Sequence, residues 1–326
     1  MTIRDRNALL PAAAVAPLNR RSDIRGCRQL LGHVGVLTLT AAGIAATLGS
    51  WWMLPAMLLH GIVQVALFAG LHETVHYTAF RSRWLNDAVA TVVGLAHFLP
   101  ARFFRRFHTA HHRHTQDPAR DPELAGPKPA TMAGYLLYIS GFRYWRDRLG
   151  ELARHAAGRV EAGFVPVAER RAIVWEARLH LLAYAMALAV SIGGGSLIAL
   201  YFWVLPALLG QPFLRLYLLA EHTGCLEDPN DMVRNTRTTF ATPLVRFLMW
   251  NMPFHTEHHV YPAVPFHALP RLHDLMRDRL AVTMPGYGAF HRTYLNALRA
   301  GGGAAFIHPS ADPPLPLALN LSEDTP

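Results

Sequence analysis

The sequence predicts an all-α integral membrane protein with about four transmembrane helices in two hairpins, together with interfacial helices and a cytoplasmic cap rich in histidine. Two charge-free runs, residues 29–71 and 179–214, are the main observation behind this prediction. A spanning helix needs about 20 apolar residues, so each run has room for two helices. Hydrophobic residues also make up 52% of the chain, which argues against a soluble protein.

A turn sequence divides each charge-free run. Gly49–Trp52 divides the first run and predicts helices at about 33–48 and 52–71, whereas Gly193–Ser196 divides the second and predicts helices at about 179–193 and 196–220. Both turns lack charge, while the connecting segments carry arginine. The positive-inside rule therefore predicts that the histidine-rich cap lies in the cytoplasm, and we expect a multi-pass protein of the bacterial inner membrane.

The rest of the chain suggests one membrane domain with polar ends. We expect a basic cytoplasmic arm at residues 1–30, a single domain at 31–298 and a disordered tail at 299–326. Residues 88–100 are too short to span upright and predict a re-entrant or interfacial helix. Residues 131–175 are typical of amphipathic surface helices, with a soluble helical insert as the alternative for 150–172. The net charge is +9, and the arginines that produce it flank apolar runs. This arrangement indicates a role in membrane orientation and argues against nucleic-acid binding.

Three short segments concentrate histidine at helical spacing. His72-Glu-Thr-Val-His76 gives an i, i+4 pair, and both His108-Thr-Ala-His-His112 and His255-Thr-Glu-His-His259 give i, i+3, i+4 sets on one helix face. Neutral imidazoles suit iron, copper, nickel or zinc. A surface cluster of histidines beside the membrane is the alternative, and the repetition of the spacing argues against it.

The number of histidines indicates two metal ions. One ion takes four to six ligands and a catalytic ion needs an open position, so the eight histidines of the three segments fit two ions. His222, at the end of the fourth predicted helix, is a natural ninth ligand, although it could instead pair with Glu221. His114 is either a further ligand or a hydrogen-bonding neighbour. The nine predicted ligands are His72, His76, His108, His111, His112, His222, His255, His258 and His259.

Carboxylates near these segments are candidate supports for the ligands, because a ligating histidine usually donates its second ring nitrogen to a carboxylate, a carbonyl or water. The six candidates are Glu73, Asp117, Asp121, Glu257, Asp228 and Asp231. The alternative for each is a solvated charge or an arginine partner. Other histidines are predicted to be packed in apolar segments (His33, His60, His97 and His180) or to lie at the surface (His155, His267, His273, His291 and His308).

The composition of the site narrows the reaction class. The two cysteines, Cys27 and Cys225, form no Cys-x-x-Cys pair, so an iron–sulfur centre within the chain is not indicated. Zinc has no redox chemistry, whereas iron with open positions binds and activates dioxygen. A site beneath apolar helices favours a long hydrocarbon chain as substrate. We therefore expect two iron ions, dioxygen as co-substrate, and desaturation or hydroxylation.

Two other functions compete with this interpretation. His72-Glu73-Thr-Val-His76 also matches the zinc metalloprotease motif, in which Glu73 would be the general base. That motif needs three protein ligands and leaves two histidine segments unexplained. A metal transporter would place its ligands at mid-membrane on broken helices, whereas these segments lie at helix ends and in loops.

The three histidine segments, called boxes below, together resemble the histidine motifs of the integral-membrane fatty acid desaturase and hydroxylase superfamily. The resemblance covers residues 30–280 and includes Phe80-Arg-Ser-Arg-Trp-Leu-Asn86 after the first box, Asp117-Pro after the second, and Val260-Tyr-Pro262 with Leu269-Pro270 after the third. Leu219-Ala-Glu-His222-Thr-Gly is similar to the extra histidine element of bacterial membrane alkane hydroxylases.

The resemblance implies a non-haem di-iron enzyme that uses dioxygen and external electrons to desaturate a fatty acyl chain of a membrane lipid. Hydroxylation of an acyl or hydrocarbon chain stays open as the alternative outcome. The sequence contains no haem-binding His-Pro-Gly-Gly of a cytochrome-b5-like domain. The expected electron donor is therefore a separate ferredoxin, rubredoxin or cytochrome, and no nucleic-acid partner is expected.

Overall fold

Four helices form the membrane stem that the sequence predicts. The computed structural model describes residues 9–308, and within them four helices are long and apolar enough to span a membrane: Asp23–Thr47, Met53–Val75, Val167–Gly193 and Leu200–His222. The turn of each hairpin contains a glycine with positive φ, 76° at Gly49 and 59° at Gly195. The side chain of Trp51 at the first turn is 96% exposed, as expected for a residue at a membrane interface.

The structure is almost entirely helical within the described residues. In chain order the α-helices are α1 Ala12–Val15, α2 Asp23–Thr47, α3 Met53–Ala66, α4 Phe68–Val75, α5 Arg83–Ala96, α6 Ala101–His114, α7 Met132–Ile139, α8 Phe142–Ala156, α9 Val167–Gly193, α10 Leu205–His222, α11 Pro243–Leu248, α12 His255–Val260, α13 Leu269–Met276, α14 Tyr287–Arg299 and α15 Gly303–Ile307. Short 3₁₀ turns lie at Ala16–Asn19, Pro122–Ala125, Phe266–Ala268 and Arg277–Arg279, and a π-turn at Leu200–Val204 leads into α10. The two-residue strands β1 (Thr238–Thr239) and β2 (Thr283–Met284) pair in parallel.

The first and third spans begin earlier than predicted. Helix α2 begins at Asp23 and helix α9 at Val167, whereas the charge-free runs suggested residues 33 and 179. Arginine is a good helix former, so a charge ends an apolar run without ending the helix. Residues 23–30 of the expected arm thus belong to α2, where Ser22 accepts a capping hydrogen bond from the Arg25 amide.

Helices α5 and α6 form a bent pair that leads to the second histidine segment. Their axes turn by 100° at the short break between Ala96 and Ala101. Phe98, inside this break, has a positive φ of 57°. The short helix agrees with the expectation of a re-entrant or interfacial segment around residues 88–100, and the bend directs α6 beneath the stem.

Close packing of α3 against α10 aligns the two hairpins. A Cβ on Gly210 would lie 2.2 Å from the Gly61 carbonyl oxygen, so only glycine permits this approach. A ring nitrogen of His60, in the middle of α3, lies 3.2 Å from the carbonyl oxygen of Phe202, just before α10. His72 and His222, at the ends of the two spans, both lie beside His255, so the histidine-bearing ends meet on one side of the stem.

The carboxyl-terminal region differs from the expected disordered tail as far as it is described. Helix α15 lies within residues 299–308, and its Ile307 side chain is only 1% exposed. Gly303 lies so close to Ala130 that an added Cβ would be 2.2 Å from the Ala130 carbonyl oxygen. Disorder was therefore the wrong expectation for α15, whereas residues 309–326 lie outside the described residues.

Candidate metal centre

The first histidine pair lies at the end of the second span. Helix α4 continues that span, and His72 lies in its last turn while His76 caps it. The next residue, Tyr77, has a positive φ of 59° and ends the helix. The ring centroids of His72 and His76 are 5.1 Å apart, as expected for an i, i+4 pair on one face.

The second and third segments are helices that present their histidines to this pair. Helix α6 carries His108, His111 and His112 in its last two turns, and the short helix α12 carries the third set. Trp250 and Asn251, which precede α12, both have positive φ and turn the chain under the stem. All six residues of α12 are buried.

The structure gathers the predicted ligands into two adjacent groups. Group A contains His72, His76, His108, His112 and His258, and group B contains His111, His222 and His259. Within each group, one ring nitrogen per histidine lies within 4.8 Å of the others. The ninth histidine, His255, lies beside group B, with its Nε2 3.1 Å from Nε2 of His222.

These distances fit metal ligation. In group A, Nε2 of His112 lies 3.0 Å from Nε2 of His108 and 3.2 Å from Nε2 of His258. Two nitrogens that bind one ion at about 2.1 Å can be at most about 4.2 Å apart. The observed groups therefore need only small side-chain adjustments to share an ion.

The hydrogen bonding and charge of the rings support the same conclusion. Within residues 9–308, both ring nitrogens of His72 and Nε2 of His76 and His259 are buried without a hydrogen-bond partner. Burial lowers the pKa of His258 and His259 well below the usual 6.5, and neighbouring imidazoles lower it further. Because buried polar atoms are rarely left unpaired, neutral imidazoles that face one another are well suited to a cation.

Group B has protein partners for its second ring nitrogens. His111 Nδ1 lies 3.0 Å from Asp121 Oδ1, and Asp121 also accepts hydrogen bonds from two backbone amides. The other contacts are His259 Nδ1 to Thr115 Oγ1 at 3.2 Å, His222 Nδ1 to the Asn235 carbonyl oxygen at 3.2 Å, and His255 Nδ1 to Glu221 Oε1 at 3.4 Å. Such partners fix the orientation of ligand rings and raise their basicity.

Sequence reasoning did not predict three of these partners. Thr115 and Asn235 are neutral, and Asn235 acts through its backbone, so neither fits a search for carboxylates. Glu221 was considered only as a partner of His222, its neighbour in sequence, whereas it contacts His255. A helix-spacing argument could have found Thr115, because it lies four residues after His111 and its hydroxyl donates to the His111 carbonyl.

Five of the six predicted carboxylate supports lie elsewhere. Glu73 accepts from Thr78 and from the Phe266 amide, Glu257 contacts His273 and Thr238, and Asp117 pairs with Arg120. Asp228 and Asp231 hold the loop that contains Asn235. Of the six predicted carboxylates, only Asp121 contacts a ring of the two groups directly.

Histidines outside the groups have ordinary protein partners in most cases. His33, His60, His97 and His180 each hydrogen-bond to a carbonyl or hydroxyl group, as expected of packed histidines. His114 belongs to neither group. The surface interpretation was wrong for His155, which is 5% exposed, and for His273, whose Nδ1 contacts the fully buried Glu257 at 2.5 Å.

A cavity of about 690 Å³ reaches both groups. Its apolar wall includes Phe68, Phe104, Leu218, Met249 and Met252, and its polar wall includes His72, His108, His111, His222 and His255. An apolar cavity with a few polar groups at one wall is the usual form of a small-molecule site. The cavity can therefore bring an apolar chain against the histidines.

Comparison with known proteins agrees with this architecture. The family model of fatty acid desaturases matches residues 49–294. A sphingolipid delta(4)-desaturase of Komagataella phaffii is 24% identical over 219 residues, which are 65% of this chain and 58% of that protein. An sn-1 oleoyl-lipid 12-desaturase of Picosynechococcus sp. is 22% identical over 249 residues, 70% of each chain.

A third relative matches a shorter region. An sn-1 acyl-lipid omega-3 desaturase (ferredoxin) of Nostoc sp. is 29% identical over 115 residues, which are 35% of this chain and 31% of that protein. The family match covers most of the chain and includes every histidine of both groups. This protein therefore belongs to the fatty acid desaturase family.

Proposed function

We propose that this protein is a di-iron desaturase that introduces a double bond into the fatty acyl chain of a membrane lipid. The observation that supports this proposal best is the convergence of nine histidines, eight of them in two adjacent groups and His255 beside group B, at the end of an apolar stem. Iron bound by these imidazoles would supply the activation of dioxygen that removal of hydrogen from an unactivated C–H bond requires.

The protein's own residues would position the substrate and the ligands. The apolar cavity wall would align the chain and exclude water. Asp121, Thr115 and Asn235 would hold the rings of His111, His259 and His222 through their second nitrogens. In the overall reaction, dioxygen takes two hydrogens from the chain and two electrons with two protons from outside, and two waters leave.

The two electrons that this reaction needs must come from an external electron donor. The relative from Nostoc sp. carries ferredoxin in its name, and we propose a ferredoxin as the donor of this protein too. We also propose a bacterial inner membrane location with the histidine groups on the cytoplasmic side, because arginine flanks the histidine-bearing ends of the spans.

The protease alternative finds less support. Glu73, its required general base, accepts hydrogen bonds from the Thr78 hydroxyl and the Phe266 amide. In addition, a five-histidine group far exceeds the three ligands of a zinc protease. Glu73 is thus engaged in holding the backbone beside the first histidine pair.

The decisive experiment combines metal analysis with lipid analysis. Purified protein should contain about two irons per chain, and cells that express it should accumulate lipids whose acyl chains have lost two hydrogens. Reduced ferredoxin and dioxygen should support the same conversion in vitro. Products that gain one oxygen would instead identify a hydroxylase, and protein that holds only zinc and consumes no dioxygen would refute the oxidative function.

A further inference from the structure

The cavity beside the histidine groups has a cationic mouth. Five basic side chains line it: Lys128, Arg143, Arg146, Arg148 and Arg215. Tyr138 and Tyr144 lie among them. The opposite wall, described above, is apolar and reaches the histidines. The lining therefore combines basic side chains, several of them on helix α8 at the exposed mouth, with apolar side chains and histidines of both groups.

Three of the five cations have partners within the protein. Lys128 Nζ donates to Gln116 Oε1 at 3.0 Å, and the Arg146 guanidinium pairs with Asp147 at 2.7 Å. Arg148 pairs with Glu151, one helical turn further along α8. These three side chains do not require a ligand to satisfy their charge.

Arg143 and Arg215 differ from them. Within residues 9–308, no carboxylate oxygen lies within 4.0 Å of either guanidinium. Arg143 is exposed at the start of α8. The Arg215 guanidinium lies 4.4 Å from the centroid of the Tyr144 ring and 5.9 Å from that of Tyr138, and its Nε is buried without an acceptor.

Glu123 and Glu221 lie near enough to Arg215 to interact with its charge, but no carboxylate that lines the cavity forms a direct ion pair with Arg143 or Arg215. Asp121 contacts His111, Glu221 contacts His255, and Asp147 is taken by Arg146. Glu123 Oε2 lies 3.7 Å from His111 Nδ1, on the histidine side. The Arg215 guanidinium reaches the Tyr138 hydroxyl, but its buried Nε has no acceptor and no carboxylate pairs with it, so the mouth favours an anion.

The position of Arg215 relates this anion to the reaction site. Arg215 and His222 lie seven residues apart on α10, which places them on the same helix face about 10.5 Å apart along the axis. Leu218 lines the cavity between them. An acyl chain that starts at Arg215 would therefore follow an apolar path along α10 to the histidines.

We infer that Arg215 and Arg143 bind the anionic head of the substrate, a carboxylate or a phosphate, while its chain extends along α10 towards the histidine groups. This inference depends on the proposed function in one respect only, which is that the apolar part of the substrate is a fatty acyl chain. The planar guanidinium can bind either anion with two parallel hydrogen bonds, and stacking on Tyr144 fixes its plane.

Binding to metal-free protein tests this inference separately from catalysis. The probe is tritiated palmitate, measured in uncharged detergent, with hexadecanol and hexadecyl phosphate as competitors of equal chain length. Arg215→Gln should weaken the binding of the anions at least about tenfold, as expected for the loss of a charge-assisted hydrogen bond. Hexadecanol should bind the variant and the wild type equally.

Two further variants separate binding from folding and from net charge. Arg143→Gln removes the exposed cation of the mouth, where a folding defect is not expected, and should weaken anion binding in the same direction. Arg154→Gln removes an exposed charge from the same helix outside the cavity and should leave all three affinities unchanged.

The competitors identify the head group. Weaker binding of either or both anions with hexadecanol unchanged supports the inference, and the anion that loses more affinity indicates whether the head is a carboxylate or a phosphate. Equal weakening of all three ligands, or no change for any, would overturn it. Because no turnover is measured, failure of the proposed desaturation leaves this result interpretable.

Discussion

Groups A and B contain the same kind of side chain but differ in how the protein supports them. In group B, every histidine has a second ring nitrogen within hydrogen-bond distance of an oxygen of Asp121, Thr115 or Asn235, whereas Nδ1 of His255 lies 3.4 Å from Glu221 Oε1 without a hydrogen bond. In group A, the ring nitrogens within residues 9–308 contact only one another or have no partner.

This difference suggests two ligand sets with unequal stiffness. Hydrogen-bonded rings have a fixed orientation and tautomer before any metal binds, whereas the rings of group A are held by packing alone. We therefore expect group B to hold metal more tightly than group A. The following predictions test that asymmetry, beginning with the largest effect.

Removal of a group A ligand should have the largest effect. His258→Ala should lower activity by at least about a thousandfold and reduce bound iron, because it removes a ligand from the group whose other rings have no outer partner to hold them in place. Activity and iron content per chain are the measurements. His180→Gln is the matched control, since His180 is also buried but hydrogen-bonds to Tyr184. Full turnover by His258→Ala would contradict the assignment of this group as ligands.

Loss of the carboxylate that supports group B should have the next largest effect. Asp121→Asn should weaken metal binding about 10- to 100-fold, as is typical for outer partners of ligating histidines. Competition with a chelator measures the change. Asp117→Asn, in the same loop but paired with Arg120, should have little effect. Equal effects of the two variants would show that His111 gains nothing specific from Asp121.

The two groups should also differ in the wild-type protein. A chelator should remove metal in two phases, with the faster phase from group A, because a ligand that lacks an outer partner has about 10- to 100-fold lower metal affinity in known sites. Repeating the experiment with Asp121→Asn should bring the two phases together. A single phase in the wild type would mean that the asymmetry in hydrogen bonding has no energetic consequence.

The smallest effect is expected from a neutral partner. Thr115→Val removes the hydroxyl next to His259 Nδ1 and should weaken metal binding by about fivefold, which corresponds to one hydrogen bond of about 1 kcal/mol. The same chelator competition is the measurement, with thermal unfolding as the control for loss of the Thr115 bond to the His111 carbonyl. A larger effect than that of Asp121→Asn would reverse the proposed ranking.

The sequence predicted much of the fold because membrane helices follow local rules. Charge-free runs, glycine turns and flanking arginine identified four spans, and the structure contains them. Their ends were misplaced because an arginine-containing turn still forms helix, as in the first turns of α2. Boundaries of this kind depend on capping and packing, which hydropathy does not report.

Prediction of the site succeeded for residues that are close in sequence and failed for contacts between residues that are distant in sequence. The i, i+3, i+4 spacing predicted which histidines share a helix face, and the structure places these faces together. The partners of His222 and His259 could not be predicted in the same way, since Asn235 lies 13 residues and Thr115 144 residues away along the chain.

By itself, then, the sequence determined the membrane stem, the nine histidines and the kind of chemistry that they suit, because these depend on composition and helical periodicity. The tertiary structure alone decided how the histidines divide into groups A and B, which of them have outer partners, and where a cavity opens beside them. Those features depend on contacts such as Gly61 with Gly210 and His112 with His258, which form only when separate helices pack.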